Sequence, residues 1–215
     1  VILRNGIEEK LTNVGIAAQE FLSVINNKIT WTEHSKDLRH GNKNYSDIVI
    51  YDLAKNSKKQ LTTKKRYFSP SYSFDKKKIT AVNYKENIKY SINILDSKTG
   101  AVLESIPNHK NDFISTPKWT KNNKSIVYLA KRNSRLAFFK YSFATKSIQQ
   151  ISDWTTNTIG QFSVSEHAVY FTASFSGIDN IYSIDLNGNK NLKKISSVSV
   201  GAYFPSISEN EKKIV

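Results

Sequence analysis

Pro70-Ser-Tyr-Ser-Phe-Asp-Lys-Lys-Lys-Ile79 returns 47 residues later as Pro117-Lys-Trp-Thr-Lys-Asn-Asn-Lys-Ser-Ile126. Each copy is a Pro, a spacer, an aromatic, a Ser or Thr, five mostly polar or turn-prone residues and the start of an apolar run. Looser copies are Gly160-Gln-Phe-Ser-Val-Ser-Glu-His-Ala-Val169 and Pro205-Ser-Ile-Ser-Glu-Asn-Glu-Lys-Lys-Ile214, so the next intervals are 43 and 45 residues. A degenerate first copy, Leu22-Ser-Val-Ile-Asn-Asn-Lys-Ile29, ends 50 residues before Ile79.

A second pattern interleaves with the first: an alternating strand, a turn, then an apolar residue usually followed by Thr or Ser. Ile48-Val-Ile-Tyr-Asp-Leu53 leads to Leu61-Thr62, and Ile181-Tyr-Ser-Ile-Asp-Leu186 leads to Ile195-Ser196. Ile92-Asn-Ile-Leu-Asp96 with Ile106, and Leu136 to Ser142 with Ile151-Ser152, complete the set. Short period-2 runs separated by Asn, Asp, Gly, Lys and Ser clusters are strands and hairpins. The stretch from Val14 to Val24 is the one ambiguous helical window, and it reads better as strand. Four short strands in each period of about 45 residues are the mark of a β-propeller blade, which buries its faces by stacking on its neighbours. The fold expected is therefore all-β, a propeller of four-stranded antiparallel blades. Its aromatics Tyr72, Trp119 and Phe162 stand at the ends of inner strands, where they fill the wedge between blades.

These same residues carry a family resemblance. The pattern Pro-x-aromatic-Ser-x-Asp-x-Lys-x-Ile, followed by Ile-Tyr-x-x-Asp-Leu and Leu-Thr, resembles the repeat of TolB-like propellers, and it covers nearly the whole chain. Asn44-Tyr-Ser-Asp-Ile48, Asn111-Asp-Phe-Ile-Ser-Thr-Pro-Lys-Trp119 and Ser176-Gly-Ile-Asp-Asn-Ile-Tyr182 look closer to a bacterial, exported subgroup. In that subgroup the propeller can accompany a zinc metallopeptidase-like domain. The resemblance implies six blades, a periplasmic or otherwise exported location, and a binding role. The chain departs from the pattern where Gly160 replaces the Pro, where Ile207 and Leu22 replace the aromatic, and where Ser142 stands in place of Asp52, Asp96 and Asp185.

By phase, blades are expected at 13–62, 63–107, 108–152 and 153–196, with half-blades at 1–12 and 197–215. The half-blades could pair to close a five-bladed ring, which removes sheet edges; the resemblance favours a truncated six-bladed parent. Val1 at the start and the absence of Met fit a mature piece or an excised domain, so both ends are read as cuts.

Composition narrows the chemistry. With 39% hydrophobic and 12% aromatic residues, the 215-residue chain can fill a core. No apolar run is long enough to span a membrane, so no membrane insertion is expected, and this segment carries no signal sequence. The absence of Cys excludes disulfides, thiolate metal sites and cysteine nucleophiles. A net charge of +14 suggests nucleic acid. Yet only Arg4, Arg39, Arg66, Arg132 and Arg135 supply guanidinium groups for base readout, and the Lys residues fall in turn clusters such as Lys76 to Lys78. A solvated Lys-rich surface is the reading, with no specific nucleic-acid partner.

No catalytic site, cofactor or metal is expected. His34, His40, His109 and His167 never approach the H-E-x-x-H spacing that leaves zinc an open position. No G-x-S-x-G elbow is present, and Ser174-Phe-Ser-Gly177 reads as a turn. Asp185-Leu-Asn-Gly-Asn-Lys-Asn191 imitates a calcium loop but puts Lys190 and Ser196 where Gly and Glu belong. Trp31 and Trp154 read as core or blade-interface aromatics.

What remains is a binding surface. In a four-stranded blade the link to the next blade opens on the same face as the loop between the second and third strands. The links hold Lys64 to Arg66, Asn111 and Asp112, Thr155 to Asn157, and Ser199 to Gly201; the loops hold Tyr84 to Tyr90, Lys131 to Arg135, and Ser174 to Asn180. The opposite hairpins (Asp75 to Lys78, Lys121 to Lys124, Glu209 to Lys213) are plain charged turns. Varied loops suit a specific contact better than uniform Lys turns. Arg66, Asp112, Asn157 and Tyr203 are the candidate partner-binding residues, at the mouth of a channel. The expected partner is another protein, a cell-envelope component, or the substrate of an attached peptidase or hydrolase domain.

Overall fold

The computed structural model describes residues 2–4, 6–17, 22–40, 43–85, 87–208, 211, 213 and 214, with backbone only at 2–4. It has four sheets of four strands each, every one an antiparallel meander, and no helix among the described residues. The first sheet is β3 (Ser23–Ile25), β4 (Lys28–Lys36), β5 (Asn44–Asp52) and β6 (Ser57–Gln60). The second is β7 (Tyr67–Tyr72), β8 (Lys78–Lys85), β9 (Lys89–Asp96) and β10 (Val102–Ile106). The third is β11 (Phe113–Trp119), β12 (Ser125–Arg132), β13 (Arg135–Ser142) and β14 (Ser147–Gln150). The fourth is β15 (Ile159–Val164), β16 (Ala168–Ala173), β17 (Asn180–Asp185) and β18 (Leu192–Lys194). Ahead of them β1 (Ile2–Arg4) pairs with β2 (Ile7–Glu9), placing Leu3 opposite Glu8, and at the far end Ile207 bridges Ile214. In the ambiguous stretch Val14 to Val24, Ile16 bridges His34 and Ser23 begins β3, while residues 18–21 lie outside the described residues.

The motif residues have specific jobs in these sheets. The register shifts between Phe68 and Ser71, between Ser115 and Lys118, and between Ile159 and Phe162, in the first strands of three blades, and once more between Val102 and Glu104 in β10. Pro70 and Pro117 sit inside the first two shifts. A residue with no N–H cannot donate to a ladder, so it is accommodated where the ladder is interrupted and on an edge strand. Ser69 and Thr116, each just before the Pro, take positive φ values of 51° and 47° to make the bend.

The apolar-Thr/Ser dipeptide closes the outer strand on the third. Leu61 and Ile151 donate their N–H groups to the carbonyls of Ile48 and Phe138, and Ile195 donates to Ile181. The next residue returns the favour through its side chain: the hydroxyl oxygens of Thr62, Ser152 and Ser196 accept from the N–H groups of Ile48, Phe138 and Ile181 at 2.8–2.9 Å. A hydroxyl thus completes the ladder one step past the point where the outer strand turns away. In the second blade Pro107 follows Ile106, and no such hydroxyl exists. The Asp that ends the third strand caps the next turn. Asp52 accepts from the N–H groups of Ala54 and Lys55, and Asp96 from those of Lys98 and Thr99. Between β12 and β13, Asn133 and Ser134 both take positive φ, the two-residue turn whose twist matches the flanking strands.

The chain divides into two compact units, 1–72 with 76–108, and 73–75 with 109–215. In the first unit, Ile48 and Leu61 pack with Tyr67, Tyr72, Ile79, Ala81 and Leu95, joining the first two blades. Gly100 adds to that joint: its φ is +74°, and a Cβ there would lie 2.5 Å from the Leu61 carbonyl oxygen, so only glycine fits. A second cluster places Trp31 against Val49 and Tyr51, as a core residue.

In the second unit, Phe138 meets Phe162 edge-on at 5.1 Å and Phe171 at 5.0 Å, so Phe162 fills the wedge between the third and fourth blades. Trp119 stacks on Phe143 of its own blade at 5.3 Å, because the turn after β13 returns that ring over the strand end. Lys118 is half-buried; its ammonium donates to the Phe162 carbonyl and lies over the Phe162 ring. Burial pushes that ammonium down to about 8 from 10.5. A group whose folded value is depressed in this way destabilises the fold while charged, so the penalty is present at neutral pH and fades as pH rises from about 8 towards 10.5. Denaturant unfolding of Lys118→Met beside the parent chain is expected to show the variant's relative stability falling by about 2–3 kcal/mol between neutral pH and about pH 10. A difference that does not change with pH would show that the ammonium is solvated.

Candidate binding surface

After β6, β14 and β18 the chain runs back beside the start of the same blade's third strand. Ser46 donates its N–H to the Lys65 carbonyl at 2.7 Å, Leu136 and Thr155 exchange two hydrogen bonds at 2.8 and 2.9 Å, and Ala202 donates to the Asp179 carbonyl at 2.9 Å. Links and second-to-third-strand loops therefore share one end of their blades. The first-to-second-strand hairpins lie at the other end, as antiparallel connectivity requires. Of the hairpin 209–213, only residues 211 and 213 are described, and in the loop 84–90 residue 86 lies outside.

In the first unit this end forms a basic trough. A cleft of about 590 Å³ is lined by Lys43, Lys64, Lys65, Arg66 and Lys85 with Tyr45, Asn83 and Tyr84. A second cleft of about 560 Å³ shares Lys43, Tyr45 and Lys64 and adds Lys36, Asp37, Leu38, Arg39 and His40 from the β4–β5 connection. Arg66 is held by an Nε hydrogen bond to the Asn44 carbonyl at 3.2 Å and lies over the Tyr84 ring at 5.8 Å. Two carboxylates stand close by: Asp47 faces inward, and Asp37 lines the second cleft. Asp47 is buried and accepts from the Thr62 hydroxyl and from the backbone N–H groups of Lys64 and Lys65 at 2.9–3.0 Å. Asp37 accepts from the Tyr45 hydroxyl at 2.6 Å and from the N–H groups of Arg39 and His40. The Tyr45 hydrogen bond, aided by those amides, holds the Asp37 carboxyl well below the usual carboxylate range.

In the second unit the corresponding end is a girdle of paired groups. Asp112 is buried, and its two oxygens accept from Arg132 Nε and a terminal guanidinium nitrogen at 2.6 Å each. The guanidinium lies 4.9 Å from the Trp154 ring, which meets Phe139 edge-on. Asn157 is exposed beyond it, its N–H on the Thr155 hydroxyl at 3.0 Å. Tyr203 is exposed, and a hydrogen bond to Asp179 raises its hydroxyl above the usual tyrosine value. Asp112, Arg132, Trp154, Thr155 and Asn157 thus form one continuous line, while Tyr203 belongs with the loop before β17. Sequence spacing placed Arg132 on this face, within the loop Lys131 to Arg135, but did not pair it with Asp112, and it read Trp154 as a core or blade-interface aromatic. It also passed over the β4–β5 connection, which lies in the most degenerate repeat.

Among the described residues, no group of three or more His, Asp or Glu side chains gathers as metal ligands would. Asp185 reaches Asn191 and Lys193, and Lys190 pairs with Asp153 at 2.6 Å. Ser174 to Gly177 is a tight turn, closed by the Gly177 N–H on the Ser174 carbonyl at 3.0 Å. No described helix is long and apolar enough to cross a membrane.

No family model and no curated protein matches this sequence. Solved structures match its fold. TolB from Acinetobacter baumannii is 19% identical with a TM-score of 0.65, over 87% of this chain and 46% of that one. The acylaminoacyl peptidase of Pyrococcus horikoshii is 14% identical with a TM-score of 0.60, over 82% of this chain and 32% of that one. A puromycin-hydrolyzing peptidase of Mycobacterium tuberculosis is 12% identical with a TM-score of 0.56, over 83% and 38%. The chain spans less than half the length of each of these three proteins. Its fold is that of a TolB-like β-propeller, built from four-stranded antiparallel blades.

Proposed function

We propose that this chain is a non-catalytic binding or scaffolding module, acting in the periplasm or otherwise outside the cytoplasm. It recognises another protein, a cell-envelope component, or the substrate of an attached domain. The observation that carries the reading is the contrast between the two ends of the blades: one gathers guanidinium, amide, phenol and indole groups on adjoining loops, the other carries charged turns. Rigid strands presenting chemically varied loops suit recognition. In this reading Arg66, Asn157 and Tyr203 touch the partner, and Asp112 holds Arg132 in place to do so.

Capture of a partner from a cell-envelope extract on the tagged chain, followed by titration of the purified pair, tests this. Alanine at Arg66, Asn157 and Tyr203 together is expected to weaken the complex by about tenfold or more, the loss of a small hot spot. Asp112→Ala is expected to weaken it through Arg132. If those four leave affinity unchanged and alanine at Lys76, Lys77 and Lys78 abolishes it, the other end is the binding face.

A second reading is favoured by a specific likeness: two of the matching structures are peptidases of which this chain spans about a third. The chain would then be the accessory propeller of a larger exported peptidase or hydrolase, positioning substrate for a separate catalytic domain. The parent protein would cleave peptide or ester substrates, and this chain alone would not.

A further inference from the structure

From the trough in the first unit, we infer that it binds an acidic, extended peptide segment of a partner protein, with Asp and Glu side chains along the cations and an apolar side chain on Leu38. The inference names the chemistry of the partner and rests on the reading of the chain as a binding module.

Three observations carry it. First, among the described residues the trough's cations outnumber its carboxylates. Among the described residues, no ion pair reaches Lys43, Lys64, Lys65, Arg66 or Lys85. Of the two carboxylates close by, Asp47 is buried on the Thr62 hydroxyl and backbone amides and Asp37 lines the second cleft beside His40, against Lys36, Arg39, Lys43, Lys64, Lys65, Arg66 and Lys85. A groove of net positive charge raises the local concentration of anions and steers them in. Second, the two clefts run into one another through Lys43, Tyr45 and Lys64, so the charge is spread along a trough rather than focused on a point. Spread charge fits several carboxylates on a chain better than one compact anion.

Third, the rings and the apolar tip select the kind of polyanion. Single-stranded nucleic acid is held by bases stacking on open aromatic faces. Here Tyr84 is covered by Arg66 at 5.8 Å and by Tyr90 at 5.3 Å. Tyr45 is buried under Lys43 at 5.8 Å, with its hydroxyl tied to Asp37. Neither tyrosine of the trough offers an open face. Leu38 is fully exposed and lines it, an apolar foothold that a peptide side chain can cover and a phosphodiester backbone cannot.

Fluorescence anisotropy of the full chain tests this with a labelled peptide of Glu and Asp residues around a central Leu, beside labelled single-stranded DNA and competing inorganic phosphate. The acidic peptide is expected to bind more tightly than the DNA, and phosphate is expected to displace it only at ionic strengths that screen all charge. Lys64→Gln with Lys65→Gln is expected to weaken the peptide about tenfold. Lys76→Gln with Lys77→Gln, which removes the same charge from the opposite hairpin, is expected to leave it unchanged. Replacing the peptide's Leu by Ser is expected to weaken binding in the parent chain but not in Leu38→Ser. Circular dichroism melts confirm that each variant is folded. Equal weakening by the two Lys pairs, tighter binding of DNA, or no binding of the peptide overturns the inference. A partner captured through Arg66, Asn157 and Tyr203 that is not acidic would overturn it while leaving the binding-module reading intact.

Discussion

Phe138→Ala is expected to lower the unfolding free energy of the chain by about 4 kcal/mol, the cost of emptying a well-packed aromatic site. The ring is fully buried in the second unit. It lies against Phe162 and Phe171 and shares a cluster with Val127, Leu129 and Ile151. These neighbours come from β11–β14 and from β15–β18, so the cavity would open at the seam where two blades meet. Sheets held in a ladder relax poorly into such a hole, because moving one strand breaks its hydrogen bonds to the next. Urea unfolding monitored by tryptophan fluorescence measures the loss. Phe74→Ala, at a half-exposed position, is the control and is expected to change stability by less than about 1 kcal/mol. A similar small change at Phe138 would show that the third and fourth blades are not packed through this ring.

Asp47→Ala is the second large effect, with an expected loss of about 3–5 kcal/mol, because a buried acceptor of several hydrogen bonds disappears and its donors remain. The Thr62 hydroxyl and the N–H groups of Lys64 and Lys65 all end on this carboxylate. Lys64 has a φ of +53°, and the hydrogen bond helps to hold that left-handed turn. Asp47→Asn keeps one accepting oxygen and is expected to recover about half of the loss. The two substitutions should also move the trough, since the Lys64 and Lys65 side chains start from this turn. Thermal melts read the stability, and the acidic-peptide titration reads the turn. Unchanged peptide affinity in a destabilised Asp47→Ala chain would separate the turn from the trough.

The fold was legible because the repeat is written in residues with steric consequences. Pro70 and Pro117 can stand only where a ladder is interrupted, and the shifts in β7 and β11 occur there. Thr62, Ser152 and Ser196 recur because each hydroxyl substitutes for a missing carbonyl. Pairings between distant positions were less legible. Arg132 meets Asp112 across 20 residues only because β11 and β12 lie in register, and nothing in the spacing shows that the acid is buried while the base is not. The trough was half visible: Lys64 to Arg66 stood out as a link, but the β4–β5 connection with Leu38 and Arg39 lies in the blade whose repeat has lost its aromatic.

The proline shifts in the first strands of the second and third sheets have a counterpart at the outer edges of the first and fourth. Strands β7 and β11 end their sheets on one side, and each carries a position with no N–H to offer. In the other two sheets the outer strands carry cations: β6 contains Lys58 and Lys59, and β18 contains Lys193 and Lys194, on exposed edges. An unpaired strand edge is a template on which a second chain can polymerise, and prolines and lysines are the two commonest ways to spoil the template. Part of the +14 charge therefore does nothing for recognition. It keeps a molecule made almost wholly of short strands from adding copies of itself, and from seeding the fibrils that so much exposed edge would otherwise invite.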